Sequence, residues 1–446
     1  MITGNETAPV IKTVPGENAK KIIEKDGSYL ATTTKAAPAA VKEARGIVFE
    51  DVDGNIFFDF TSGVGVVNVG HCHPEVVKAI QQQAEKFIHF AGTDFYYSVQ
   101  AELAQKLTAM TPGNWEKKVY FGNSGAEAVE AAMKMTRWST KKKFFMAFIG
   151  AFHGRTMGAL ALTASKPVHK RRFFPWTPGV VHVPYPNPYR NPFGIDGYDE
   201  PDELVNAVIN YFEYTFSHFV PDDEVAAIFS EAIQGEGGYV VPPKNFFREL
   251  MKMAEEHHIL LVDDEIQAGM GRTGKMWAIE HFGIEPHIIT SSKALASGLP
   301  LSACIYPAAN DYTVSGAHST TFGGNPVACA ASLAALDILQ GGLIENAAKQ
   351  GTLMAKRLQE MKDSYEIVGD ARGIGLMQAI EIVKSKEGKE IAPKIRDAIV
   401  DRAFKKGILL LGCGVSGIRF IPPLSINEEQ LTNAMDLLEE AIKEVM

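Results

Sequence analysis

The stretch that most restricts how this chain can fold runs from Ile259 to Ala296, ILLVDDEIQAGMGRTGKMWAIEHFGIEPHIITSSKALA. It opens on an apolar run, Ile259 to Val262, ending at Asp263-Asp264, which predicts a buried strand with acids at its tip. It closes on a second apolar run, Ile288-Ile289, that carries Ser291-Ser292-Lys293 to another tip. Asp264 and Lys293 lie 29 residues apart, a spacing that suits one crossover helix between neighbouring parallel strands. Such a unit brings both tips to one edge of a sheet, where α/β proteins bind their ligands. Taken singly, Asp264 reads as a helix cap and Lys293 as a solvated charge.

At 446 residues the chain exceeds what one core usually holds, so two domains are expected. Its 44 Lys and Arg against 53 Asp and Glu leave a net charge of −9, which makes nucleic acid a poor partner. Four cysteines (Cys72, Cys304, Cys329, Cys413) have no pair spacing, which predicts a reducing compartment and no disulfide framework. The N-terminal MITGNETAPVIKTVPGENAKK has no apolar signal core, and runs such as Phe144 to Ile149 are too short to span a bilayer. A cytoplasmic protein that does not enter membranes is expected.

Along the chain, a helix follows Pro15-Gly16 with Ala19, Ile22 and Ile23 as its apolar stripe. Gly46 to Phe60 reads as a hairpin about Asp53-Gly54, and Pro74 opens a helix carrying Val76, Val77 and Ile80. From Glu102 onward helices alternate with strands. The strand candidates are 119–121, 144–149, 180–183, 226–229, 260–262, 288–290 and 302–306. That rhythm predicts a mostly parallel seven-stranded sheet covered by helices on both faces. Residues 184–202, rich in Pro, Tyr and Asn, read as a surface excursion. A helix over 325–339 followed by Gly341-Gly342 marks passage into a C-terminal unit with helices near 343–361 and 393–406 and a strand at 418–421. The expected division is 1–70, an N-terminal segment belonging to the smaller domain, then a large domain over 71–335, then 336–446.

Several motifs fall at the predicted strand ends. Tyr120-Phe121-Gly122-Asn123-Ser124-Gly125-Ala126-Glu127-Ala128 runs from a strand through a Gly-rich turn into a helix. The N–H groups of Gly125 and Ala126, with the Ser124 hydroxyl, suit a phosphate, although the residues alone also fit an ordinary capped helix. GAFHGRT follows the strand ending at Ile149 and offers Phe152 as an aromatic face. SEAIQGEGG follows another strand and places Glu231 and Glu236 in a cleft; as bare residues they are two solvated acids. His71 and His73 in GHCHPE have no further ligands nearby, so no metal is expected.

VDDEIQAGMGRTGK followed by SSKA, with NSGAEA, FHGRT, HSTTFGGNP and GIRFIPP, resembles the class III aminotransferases. The resemblance runs nearly the length of the chain, from DVDGNIFFDF to GIRFIPPL. It departs from the family pattern at Ala232, at His287 and in the SSKA setting of the lysine. It implies an aspartate-aminotransferase-like fold (fold type I) with a smaller α+β domain drawn from both chain ends, and pyridoxal 5'-phosphate as cofactor. By resemblance, Lys293 bonds to the cofactor aldehyde and moves protons, and Asp264 partners the ring nitrogen. Ser124, Gly125 and Ala126 hold the phosphate, Phe152, Glu231 and Gln267 surround the ring, His153 either contacts the ring or makes a structural hydrogen bond, and Thr321 reaches the phosphate of a neighbouring subunit in a homodimer or a dimer of dimers. Val64, Arg155, Glu236 and Arg419 are implied for the substrate, with Glu236 pairing Arg419 as a gate and the arginines clamping carboxylates. The activity implied first is transfer of an amino group from an ω-amino acid such as 4-aminobutyrate to 2-oxoglutarate. Ornithine, acetylornithine or lysine transamination, and amino-acid racemisation on the same scaffold, are the alternatives.

Overall fold

The computed structural model describes residues 2–446. Seven strands form one sheet: β1 (Lys117–Gly122), β2 (Phe144–Phe148), β3 (Val180–Val183), β4 (Val225–Ser230), β5 (Leu260–Asp264), β6 (Ile288–Ser291) and β7 (Ser302–Pro307), in the order β1-β7-β6-β5-β4-β2-β3. Only β7 runs against its neighbours, β1 and β6. The other six strands therefore point the same way, and their C-terminal ends share one edge.

The strands are apolar on both sides because both faces of the sheet are covered. In β2, Phe145 and Ala147 pack with Val129, Met133 and Met135 of helix Gly125–Thr140. Met146 and Phe148 face the opposite way, toward Val208 and Phe212 of helix Pro201–His218 and Phe246 of helix Phe246–Glu256. The hairpin also forms as expected, Val48–Asp51 against Ile56–Asp59. Ile408–Leu409 joins it in parallel, so residues from both chain ends share this smaller sheet. A third sheet, Val368–Ile374, Met377–Ile382, Gly417–Phe420 and Leu411–Cys413, carries Arg419.

Several expectations need correction. No crossover helix links β5 and β6; the described residues between them hold only the 3-10 turn Ala278–His281. Gly271 and Gly274, at φ +80° and +85°, interrupt any helix there and allow Gly274 to approach Ala348 closely. The strands still pair directly, with Asp264 opposite Thr290. In helix Glu17–Tyr29 only Ala19 is buried, while Ile22 and Ile23 face solvent. The excursion at 184–202 is not superficial throughout: Tyr185 and Tyr189 are buried, and Arg190 pairs with Glu381 of the third sheet. The continuous stretch Pro326–Ser364 is long and apolar enough to cross a membrane by length and composition, which inspection of short runs missed. It breaks at Gly342 (φ +126°), and Ala328, Cys329, Ala331, Ala335 and Leu336 of its first helix are buried.

Candidate active site

The shared strand edge gathers the turns after β1, β2, β4, β5 and β6 around a cavity of about 160 Å³. Asp264, at the tip of β5, is fixed on both oxygens: Oδ2 lies 2.7 Å from His153 Nδ1, and Oδ1 accepts the Ile266 N–H at 3.1 Å. Burial disfavours a charged imidazole, yet the Asp264 carboxylate, helped by Glu231, raises the His153 pKa above its ordinary value. His153 had been expected to be either a ring contact or a structural hydrogen-bond partner. Here its Nδ1 is bonded to Asp264 while its ring also lines the cavity.

Lys293 begins a short 3-10 turn just past β6 with φ +39°, a left-handed conformation rare for a side-chain-bearing residue. Its side chain lines the cavity with Asp264. Burial lowers the pKa of its amine, against the opposing pull of Asp264. A lysine less readily protonated than usual is better able to act as a nucleophile or base.

Gly125 and Ala126 open helix Gly125–Thr140 on the cavity wall, where first-turn N–H groups have no acceptor within the helix. Gly154 (φ +138°) lets the FHGR turn lie on this cradle, since a Cβ there would come within 2.8 Å of Ala126 Cβ. Ser124 is turned to its own helix as N-cap, Oγ accepting the Glu127 N–H at 3.3 Å. Phe152 lines the cavity, and Glu231 ties its backbone in place. Glu231 Oε1 accepts the Phe152 N–H at 2.9 Å and Oε2 accepts the Gly235 N–H at 2.8 Å. Burial pushes the Glu231 carboxyl up to about 7. Gln267 also faces the cavity, its Oε1 accepting from Tyr239 Oη at 2.8 Å. A helix N-terminus, an aromatic face, a fixed carboxylate and a buried amine around one small hollow fit a flat, aldehyde-bearing, phosphorylated heterocycle.

The substrate-side residues converge less completely. Glu236 Oε2 accepts from Arg419 Nη1 at 2.9 Å, the pairing implied by the sequence motifs. Glu236 Oε1 also accepts from Lys166 Nζ at 2.9 Å, which sequence reasoning missed. Burial opposes ionisation, but Arg419 and then Lys166 hold the Glu236 carboxyl below the usual range. Arg155 is exposed, its guanidinium 5.4 Å from the Phe152 ring centre, with no carboxylate partner among the described residues. Val64 is partly exposed at φ +69° in a kink beside Gly63, and the adjoining Gly65 runs against Gln267. Thr321 is exposed and does not line the cavity, whereas Thr320 Oγ1 lies 3.4 Å from the Asn123 amide. His71 pairs with Asp59 at 2.7 Å, and His73 caps the helix opened by Pro74.

Two further residues escaped the sequence reading. Tyr239, fully buried, links Gln267 to the surroundings of Arg419. Arg272, also fully buried, donates to the Leu376 and Pro422 carbonyls and to Asn68 Oδ1, joining three distant segments behind the site. The GRTG string with its flanking turn glycines was a usable signal for Arg272. Nothing marked Lys166 apart from the other bases of ASKPVHKRR.

Residues 29–442 match the profile of the family described as Aminotransferase class-III. The alanine/serine racemase of Pyrococcus horikoshii is 43% identical over 448 residues, covering 99% of this chain and 94% of the relative. A probable 4-aminobutyrate aminotransferase of Bacillus subtilis is 40% identical, covering 91% and 92%. The taurine:2-oxoglutarate aminotransferase of Bifidobacterium kashiwanohense, solved with PLP and glutamate, superposes with a TM-score of 0.90 at 27% identity, over 96% of this chain and 98% of that one. The cavity chemistry, the fold and this whole-length similarity lead to one assignment: the chain belongs to the class III aminotransferases, transferases that depend on pyridoxal phosphate.

Proposed function

We propose that this enzyme moves an amino group from an ω-amino acid of the 4-aminobutyrate kind to 2-oxoglutarate in a ping-pong cycle. The observation that carries this reading is the Glu236–Arg419 pair in the cleft. A ping-pong transaminase must seat a donor and an acceptor of different charge in one pocket, and an arginine whose charge can be covered or bared meets that need. With Arg419 covered by Glu236, the donor carboxylate seats on Arg155. With Arg419 bared, it takes the α-carboxylate of the acceptor and Arg155 holds the other end.

Gly125 and Ala126, with Ser124 at the helix cap, would hold the phosphate, and Phe152, Glu231 and Gln267 would frame the ring. Bound pyridoxal phosphate supplies the electron sink for charge developing on the substrate carbon. Asp264, fixed by His153, would keep the ring nitrogen protonated. Lys293 would hold the cofactor aldehyde and, once displaced by substrate, would supply the base that takes the proton from the amine-bearing carbon and delivers it to the cofactor side. Val64 lies on the substrate side. We further propose a homodimer in which Thr321 of one subunit reaches the site of the other. Exposed Ile88, Phe90, Phe95 and Phe322 support a partner-covered face. The four unpaired cysteines suit a reducing, cytoplasmic compartment.

Racemisation is the second reading, favoured by the 43% identity to the alanine/serine racemase. It requires an acid across the ring from Lys293. Glu236, held ionised between two cations, is a poor proton donor, which favours transamination. The test is incubation of the holoenzyme with 4-aminobutyrate and 2-oxoglutarate, and separately with single L-amino acids and no oxo acid. Glutamate formation that depends on both substrates supports transfer. Loss of optical rotation without an oxo acid, and no glutamate, replaces it with racemisation.

A further inference from the structure

The gate carries one cation more than the pairing of Glu236 with Arg419 requires. Glu236 uses both oxygens, Oε2 toward Arg419 Nη1 and Oε1 toward Lys166 Nζ, each at 2.9 Å. Neither cation has another carboxylate partner within ion-pair distance among the described residues. Arg419 is nearly buried and its Nε has no hydrogen-bond partner. The closed gate thus holds two cations against one carboxylate, with one buried guanidinium N–H unpaired, and so carries an excess of positive charge.

The two cations differ in anchorage. Arg419 stands in the interior strand Gly417–Phe420, paired between Met377–Ile382 and Leu411–Cys413. Lys166 belongs to the segment after helix Met157–Leu162, just before the single turn Pro167–Lys170, and its side chain is 30% exposed. Its outer side borders an open groove of about 530 Å³ walled by Leu411, Gly412 and Gly414 of the third sheet. Lys166 therefore has room to follow a moving carboxylate, and Arg419 has not.

We propose that Lys166 is the post on which Glu236 rests when the gate opens, and hence a positioning residue that sets how well a dicarboxylate competes for Arg419. This rests on the acceptor reading given above. An incoming carboxylate that takes Arg419 would strand a mostly buried Glu236 charge, a strongly unfavourable outcome if that carboxylate had no other partner. Lys166 already bonds the other oxygen, so opening exchanges one cation and keeps the second. The open state then holds two cations and two carboxylates, balanced in charge. A monocarboxylate seated on Arg155 leaves the gate closed and has no need of Lys166.

Glutarate and butyrate test this without turnover, because neither carries an amino or oxo group. Their affinities for the holoenzyme are measured by titration calorimetry for the wild type, Lys166→Met and Lys166→Arg. Lys166→Met should weaken glutarate about 10-fold or more, leave butyrate within about 2-fold, and Lys166→Arg should recover most of the glutarate affinity. Unchanged glutarate affinity in Lys166→Met overturns the role of Lys166. Equal weakening of both ligands also overturns it, since that is the mark of general charge attraction. Wild-type enzyme that binds glutarate no better than butyrate defeats the acceptor reading itself, and the post with it.

Discussion

The two ends of this cleft are built on different plans. At the inner end Asp264, His153 and the first turn of helix Gly125–Thr140 sit at strand tips, with the Asp264–His153 pair almost fully buried. At the outer end Glu236, Lys166 and Arg419 meet from three separate segments, two from around the large sheet and one from the third sheet, with Lys166 and Glu236 partly open to solvent. The inner end is over-determined: both Asp264 oxygens and both Glu231 oxygens are engaged in hydrogen bonds. The outer end shares one carboxylate between two cations and can be rearranged by rotating long side chains. On the proposed function, chemistry common to all substrates sits where hydrogen bonds hold each carboxylate on both oxygens, and choice among substrates where a few long side chains can turn.

Substitutions at the two ends should have different consequences. Lys293→Ala should lower kcat on the order of 10⁴-fold while the protein stays folded, as read by steady-state assay and circular dichroism. Asp264→Asn should cost about 10²–10³-fold in kcat with little change in KM for either substrate. A large KM change confined to one substrate would move Asp264 to the outer end. Glu236→Gln should instead split the two substrates. The KM of the donor should change by roughly 10-fold, with kcat for the acceptor half-reaction falling less than in the inner-end variants.

The smallest effect, a difference in pH dependence of stability, sharpens the contrast by its sign. His153 has a folded pKa raised above 6.5, so its contribution is complete below 6.5 and is lost as pH rises through the raised value. Glu236 has a folded pKa held below 4.5, so its contribution is present above 4.5 and is lost as pH falls through the lowered value. The stability gap between wild type and His153→Gln, from urea unfolding, should therefore shrink toward alkaline pH. The gap to Glu236→Gln should shrink toward acid pH. Parallel trends would mean that the two ends are not electrostatically distinct.

The same contrast explains what could be read from the sequence. The seven strands were legible because parallel strands buried on both faces are continuous apolar runs, as in Val225–Ser230, and their tips follow directly in the chain. Asp264, Lys293 and Gly125-Ala126 are such tips, so resemblance and local pattern both pointed to them. The link between β5 and β6 was misread because length alone suggested a helix, while Gly271 and Gly274 dictate turns. Lys166 was invisible for a different reason. Its partner is 70 residues away, the contact is made by a side chain, and no periodicity records it. Arg272 acts across gaps of more than a hundred residues, which only the fold brings together.

On the proposed function, Lys293, at the inner end, is the amine that engages the cofactor, while Lys166 serves the gate. Reduction of the holoenzyme with borohydride, followed by peptide mass mapping, tests this directly. The cofactor's mass should appear on the peptide containing Lys293 and on no other. A label on the Lys166 peptide, or none on Lys293, would contradict the division of the cleft described here.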